Sequence, residues 1–384
     1  MRRNKLQSSD RRSGLNLTLA MNFTQPDIIQ ALSTVHDPDL KKDLISLNMV
    51  QDISVSDKKV SFTVVLTTPA CPLKEKIKSD CRNAVEKVVG KNIEIAIHMT
   101  STVTTIRDNT PLLPGVKNII AIASGKGGVG KSTVTANLAV ALAKMGAKVG
   151  LIDADIYGPS IPVMFNCEYE QPEVKVVNGK NLIVPLVQYG VKLVSIGFLA
   201  PLDSPIVWRG PMASSALKQF ISEAEWGELD YLFIDMPPGT SDIHLTLVQT
   251  VPVTGAIIVT TPQKVALADA TKGLAMFKQP QINVPILGIV ENMAFFTPAE
   301  LPNNKYFIFG KDGGKNLSEK HHVPFLGQIP LVQSIRESGD NGLPAVMKEG
   351  LIADAFIELA EAVARQVAIR NATFAQTQRV EFKV

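Results

Sequence analysis

Residues 122 to 133, Ile-Ala-Ser-Gly-Lys-Gly-Gly-Val-Gly-Lys-Ser-Thr, gather the residue types that grip a polyphosphate. Gly125-x-x-x-x-Gly130-Lys131-Ser132 has phosphate-loop spacing. Gly125, Gly127, Gly128 and Gly130 permit backbone conformations closed to other residues, so the loop N–H groups, that of Val129 included, turn inward as an anion nest. Lys131 is expected to reach the β- and γ-phosphates and Ser132 to hold Mg²⁺ through its hydroxyl, with Thr133 closing the binding segment. Lys126, directly after the first glycine, is a second cation beyond the basic motif.

Further acids stand where this chemistry needs them. The apolar run Lys148 to Ile152 ends in Asp153-Ala-Asp155, and Tyr231 to Ile234 ends in Asp235-Met-Pro-Pro-Gly239. Acids at the carboxyl ends of parallel strands sit where open α/β sheets bind ligands. Asp155 is expected to orient an attacking water. Asp153 and Asp235 are expected to support the Mg²⁺ shell, and Gly239 to let a switch loop approach the γ-phosphate.

The elements that position these groups alternate. Val116 to Ala123 is an apolar, β-branched run that predicts a buried strand, and Lys131 to Met145, rich in Ala and Leu, predicts a helix stopped by Gly146. The loop thus lies between a strand and a helix N-terminus, whose dipole favours phosphate. Further strands are expected at 256–261 and 286–291. The pattern predicts an α/β fold, a doubly wound, mostly parallel sheet with a small N-terminal α+β domain.

The Lys-Gly-Gly-x-Gly-Lys-Ser run, a deviant Walker A loop, resembles the MinD/ParA/nitrogenase-iron-protein class. That resemblance implies that Lys126 reaches across a two-fold interface to the partner's nucleotide, giving an ATP-sandwich homodimer in which Lys126, Lys131 and Asp155 are catalytic. More specific segments are Asp153 to Pro162, Trp208-Arg-Gly-Pro-Met212, Asp235 to Thr240, Thr261-Pro-Gln263, Gly288-Ile-Val-Glu-Asn-Met293, Ile308-Phe-Gly310 and Gly327-Gln-Ile-Pro-Leu331. Together they resemble the Mrp/ApbC family over about residues 21 to 384. The resemblance implies an ATP-binding and hydrolysing carrier of iron–sulfur clusters, receiving them from a scaffold and loading apo-protein clients in the cytoplasm. It also implies that Asn292 and Pro344 contact adenine, against a reading of both as turn residues.

One departure from that pattern stands out. The family generally carries Cys-x-x-Cys after Glu-Asn-Met, where two subunits would hold a bridging cluster. Here the segment runs Ala294-Phe-Phe-Thr-Pro-Ala-Glu-Leu-Pro-Asn-Asn-Lys-Tyr306, without cysteine. Fe–S clusters are held by thiolates, so either ligation has moved or the chain is an ATPase that assists maturation without holding the cluster. The chain has three cysteines, Cys71, Cys81 and Cys167, too few and too scattered for a disulfide framework and suited to a reducing compartment. Cys71, in Thr67-Thr-Pro-Ala-Cys-Pro72 ahead of a helix expected to start near Pro72, is the candidate iron–sulfur ligand, because a helix N-terminus favours thiolate. Cys71 and Cys81 are expected on one helix but not one face, and Cys81 and Cys167 are expected to be structural.

Residues 21–105 are read as the small domain, with a helix at 26–35, a turn at His36-Asp-Pro-Asp39, strands near 49–55, 59–66 and 92–98, and a helix at 73–89. It resembles the small domain of iron–sulfur maturation factors. Residues 106–115 are a linker and 116–384 the ATPase domain. Residues 1–20 carry five cations against Asp10, a net +4, and read as a disordered basic tail or a misassigned start before Met21. The whole chain is +3, so the remainder is −1, which argues against a nucleic-acid partner. The tail lacks the apolar core of a secretory signal and is short and acid-bearing for a transit peptide. No run is apolar enough to span a bilayer. Leu351 to Ile369 predicts an amphipathic helix with few cations, suited to packing on the ATPase core rather than to stable membrane association. A spatial-organising ATPase of the MinD/ParA kind is the alternative function.

Overall fold

The computed structural model describes residues 23–107, 112–156, 158–177, 179–199, 210–298, 300–301 and 303–380. Expectations for residues 1–20, for part of the linker, and for Trp208 and Arg209 lie outside them. Contacts divide the chain into two compact units. One comprises the residues up to Asp37 with Lys41–Val64 and Lys76–His98, the other Pro38–Leu40, Val65–Glu75 and Met99 onward.

In the smaller unit, α1 (Gln25–Leu32) opens on a capping box in which the Thr24 N–H donates to the Asp27 carboxylate at 2.7 Å, satisfying a helix-end group that would otherwise be orphaned. Strands β1 (Val50–Val55), β2 (Lys59–Leu66) and β3 (Glu94–Ser101) form a sheet in that order. Helix α2 (Lys74–Val89) buries Ile77, Cys81 and Val85, each four residues apart on one face. Cys71 is not on that helix, contrary to the sequence expectation. The chain turns at Pro72 and Leu73, and the Lys74 N–H donates to the Cys71 carbonyl at 3.4 Å. Cys71 therefore precedes the helix and belongs by its contacts to the larger unit.

Among the described residues, the larger unit is built on an eight-stranded sheet. Its strands, in chain order, are β4 (Val116–Ala123), β5 (Val149–Asp153), β8 (Leu186–Gln188), β9 (Val191–Ser195), β10 (Leu229–Asp235), β11 (Gly255–Thr260), β12 (Ile286–Glu291) and β13 (Phe325–Gln328). Their spatial order is β13-β12-β11-β4-β10-β5-β9-β8. Neighbours pair in parallel except β8, which runs antiparallel to β9 at the edge. A separate two-stranded ribbon, β6 (Val174–Val177) with β7 (Lys180–Ile183), also stands outside the predicted elements.

Helices cover both faces of the sheet. In β4, Ile120 and Ile122 enter one core with α3 (Lys131–Lys144) and α10 (Leu351–Thr373). Ile119, Ala121 and Ala123 enter the other with α5 (Gly210–Ser222), α6 (Asp242–Thr250) and α7 (Lys264–Phe277). Two covered faces explain why the strand is apolar throughout. Each fully buried Ile or Leu contributes about 1.5–3 kcal/mol. Phe356, Leu359, Ala360, Val363, Ala364 and Val367 form the buried stripe of α10, which packs on α3. The C-terminal helix thus packs on the core of the larger unit. No described helix is long and apolar enough to cross a membrane.

Candidate nucleotide site

The loop after β4 is shaped by its glycines. Gly128 and Gly130 have φ of +80° and +79°, in the left-handed region that costs other residues about 1 kcal/mol or more. Gly125 has a different duty: a Cβ there would stand 2.0 Å from the Asp269 carbonyl carbon and 2.3 Å from the Ala270 nitrogen, so the loop passes hard against the α7 backbone. Asn292, just past β12, braces the loop from the side by donating from Nδ2 to the Val129 carbonyl at 2.8 Å. Half of the amide expected to pair with adenine is therefore engaged by the loop itself.

Strand register brings the acids together. Asp235 of β10 lies opposite Asp153 of β5 and Ile122 of β4, so both carboxylates emerge beside the loop. Asp235 is fully buried and accepts from Lys131 Nζ at 2.8 Å, Ser132 Oγ at 2.6 Å and Thr135 Oγ1 at 2.7 Å. Asp153, also fully buried, accepts from Ser195 Oγ at 2.9 Å and from the Asp155 and Ile161 N–H groups at 3.2 and 3.3 Å. Burial, with the neighbouring Asp235 charge, pushes Asp153 up to about 7. Burial pulls the Lys131 ammonium down, but Asp235, Asp155 and Asp153 more than offset it and hold Lys131 above its ordinary value.

Asp155 lies 3.5 Å from Lys131 Nζ. A cleft of about 190 Å³ is lined by Ser124, the loop from Lys126 to Thr133, Asp155, Ser160, Met164 and Pro238. Lys126 is exposed on this loop. Pro344 precedes a short 3₁₀ turn, Ala345–Met347, whose Val346 N–H donates to Asn137 Oδ1 at 2.9 Å; Asn137 in turn donates to the Thr133 carbonyl at 2.9 Å. Pro344 thus lies two residues before a hydrogen-bonded chain that ends at Thr133. Cys71 is half-buried, while Cys81 and Cys167 are buried, with burial raising both thiols to about 12. Among the described residues, no three His, Cys, Asp or Glu side chains gather to hold a metal ion.

Thr135 and Ser195 complete the polar network and had no sequence signal. Ser195 is the one hydroxyl of an otherwise apolar strand end, and Thr135 follows Ser132 and Thr133 in α3, where only its i+4 spacing from Lys131 places it on the same helix face.

The donor set fits Mg²⁺. Ser132 Oγ, Asp235 and Asp153 are oxygen donors, the type this hard cation takes. The hydroxyl already bonds to the carboxylate expected to stand behind it. Over Gly128 an added Cβ would meet nothing within 4 Å, so the phosphate side of the loop is open.

Residues 115–367 match the family model described as ParA, NUBPL iron-transfer P-loop NTPase, and residues 25–97 match the iron–sulfur cluster assembly protein model. The chain is 47% identical to the iron–sulfur cluster carrier protein of Synechocystis over 90% of this chain and 97% of that protein. It is 44% identical to the carrier protein of that name from Escherichia coli K12, covering 88% of this chain and 90% of the other. A nucleotide-binding protein from Archaeoglobus fulgidus, solved with ADP, is 38% identical with a TM-score of 0.53, over 62% of this chain and 91% of that one. A glycine nest opening α3, a buried Lys131–Asp235–Ser132 cluster, a doubly wound sheet and these matches all lead to one assignment: the chain belongs to the family of NUBPL-type iron-transfer P-loop NTPases.

Proposed function

We propose that this protein is an ATP-binding and hydrolysing iron–sulfur cluster carrier or assembly factor that works as a nucleotide-sandwich homodimer. It would take clusters from a scaffold and deliver them to apo-protein clients in the cytoplasm, with no nucleic-acid partner and no stable membrane association. The observation that carries the reading is the buried Lys131–Asp235–Ser132 cluster beneath an open glycine nest, in a chain whose relatives are named cluster carriers.

Gly125, Lys126, Gly127, Gly128, Val129, Gly130, Lys131, Ser132 and Thr133 would cradle the phosphates through backbone N–H groups and the α3 dipole. Bound at Ser132, with Asp153 and Asp235 behind it, Mg²⁺ would supply charge neutralisation on the phosphate oxygens. Lys131 would pass its ammonium from Asp235 and Asp155 to the phosphates, releasing Asp155 to orient water. Lys126, exposed on the loop, would supply cationic charge to the partner subunit's nucleotide. Asn292 and Pro344 would flank the base.

The cluster is cargo here. The cysteine-free segment 294–306 favours a second reading, an ATPase that assists maturation without ligating the cluster. Anaerobic reconstitution of the full chain with iron and sulfide, beside Cys71→Ala, separates the two. A cluster present in the parent and absent from the variant is the expected result. No cluster in either protein would overturn the carrier reading and leave the second.

A further inference from the structure

A cavity of about 920 Å³ lies in the larger unit at the amino-terminal ends of β12 and β13, the end of the sheet opposite the phosphate loop. It is larger than the nucleotide cleft and within the range of small-molecule sites. The last turns of α10, the turn before β12 and the tail at 374–380 form its walls.

Its charge is one-sided. Lys278, His322, Arg370 and Arg379 line it, and among the described residues no Asp or Glu does. Arg370 decides the matter. It is only 3% exposed, yet its acceptors are all neutral: Asn371 Oδ1 at 3.3 Å, the Ala375 carbonyl at 3.0 Å and Thr377 Oγ1 at 2.7 Å. Its Nε is buried without a hydrogen-bond partner. No described carboxylate pairs with it. A buried cation lacking a counter-ion costs several kcal/mol, and the space beside it has room for one. Burial, with the Lys278, Lys320 and His322 charges, also holds the nearby His321 ring below its ordinary value, a second sign of positive potential here. Val284, Ile286 and Ile369 supply apolar wall.

We propose that this cavity binds a small organic oxyanion, its phosphate or carboxylate group on Arg370 with Lys278 and Arg379 at the rim and its apolar body against Val284, Ile286 and Ile369. The guanidinium fork suits planar, bidentate oxyanion recognition. The site is separate from the nucleotide loop and stands whether or not the chain carries clusters.

The test is calorimetric titration of the full chain, with Mg–ADP saturating the loop, using phenyl phosphate, benzoate and phenol as probes. One oxyanion per chain is expected, with phenol at least about tenfold weaker. The winner between phenyl phosphate and benzoate names the head group. Arg370→Gln should abolish binding but also frees the tail. The exposed pair Lys278→Gln/Arg379→Gln keeps the two effects apart and should weaken binding about tenfold without lowering Tm. No oxyanion binding, equal binding of phenol, or full affinity in the double variant would overturn the proposal.

Discussion

At Lys131 a single ammonium is held by two carboxylates, Asp235 at 2.8 Å and Asp155 at 3.5 Å. Lys131→Ala removes both the phosphate contact and the counter-charge of buried Asp235. ATP affinity should fall by about 100-fold or more, read by calorimetry; parental affinity would refute the site. Asp155→Ala should bind ATP and hydrolyse it poorly, so steady phosphate release at the parental rate would remove Asp155 from its role. The loop glycines separate two kinds of cost. Gly125→Ala drives a Cβ into the Asp269 and Ala270 main chain, which no rotamer relieves, and should cost about 3 kcal/mol or more. Gly128→Ala meets no atom and pays only for its φ of +80°, about 1 kcal/mol. Urea titrations giving equal losses would contradict this. The loop and its acids are legible in the sequence because backbone chemistry fixes their types and spacing. Ser195 and the bracing bond of Asn292 are not, because each depends on which strand end lies alongside.

The strands β4 and β12 are legible almost to the residue, since burial on both faces demands continuous apolar runs. The ribbon β6–β7 and strands β8 and β9 are not. All are short; in β6 and β8 Val174, Val176 and Val187 are well exposed, so no hydrophobic period marks them, while β9 buries Val191, Leu193 and Val194 but spans only five residues. Helix α6 carries an element-scale prediction. Its capping box uses His244, whose Nδ1 accepts from the Ser241 N–H at 3.2 Å, while Nε2 is buried without a partner. Burial lowers His244 to about 4. The folded pKa lies below the unfolded value of about 6.5, so the unfolded chain takes up this proton first as pH falls. The stabilisation is present above pH 6.5 and is lost between 6.5 and about 4, amounting to about 2 kcal/mol at pH 5. His244→Gln keeps an acceptor at the same capping position and removes the titration. Its urea stability should fall between pH 7.5 and 5 by about 2 kcal/mol less than the parent's; parallel pH profiles would show that His244 is not the group responsible.

For the molecule as a whole, the sheet, the loop and the acids belong to one chain, whereas the role expected of Lys126 requires two. It sits on the mouth of the cleft, exposed, one residue beyond a glycine wedged against α7. A loop held this rigidly on one side can present a cation outward without deforming the phosphate nest. If that cation serves the nucleotide of a second subunit, dimer stability must depend on ATP and on Lys126 together, while binding of ATP to one subunit must not. Sedimentation velocity tests this in the Asp155→Ala background, where bound ATP is expected to persist. That variant should be monomeric without nucleotide and dimeric with Mg–ATP. Adding Lys126→Gln should weaken the dimer by about tenfold or more and leave ATP stoichiometry at one per chain. A dimer indifferent to Lys126 would leave the lysine a solvated surface charge. Loss of ATP binding along with the dimer would make it part of its own subunit's phosphate cradle instead.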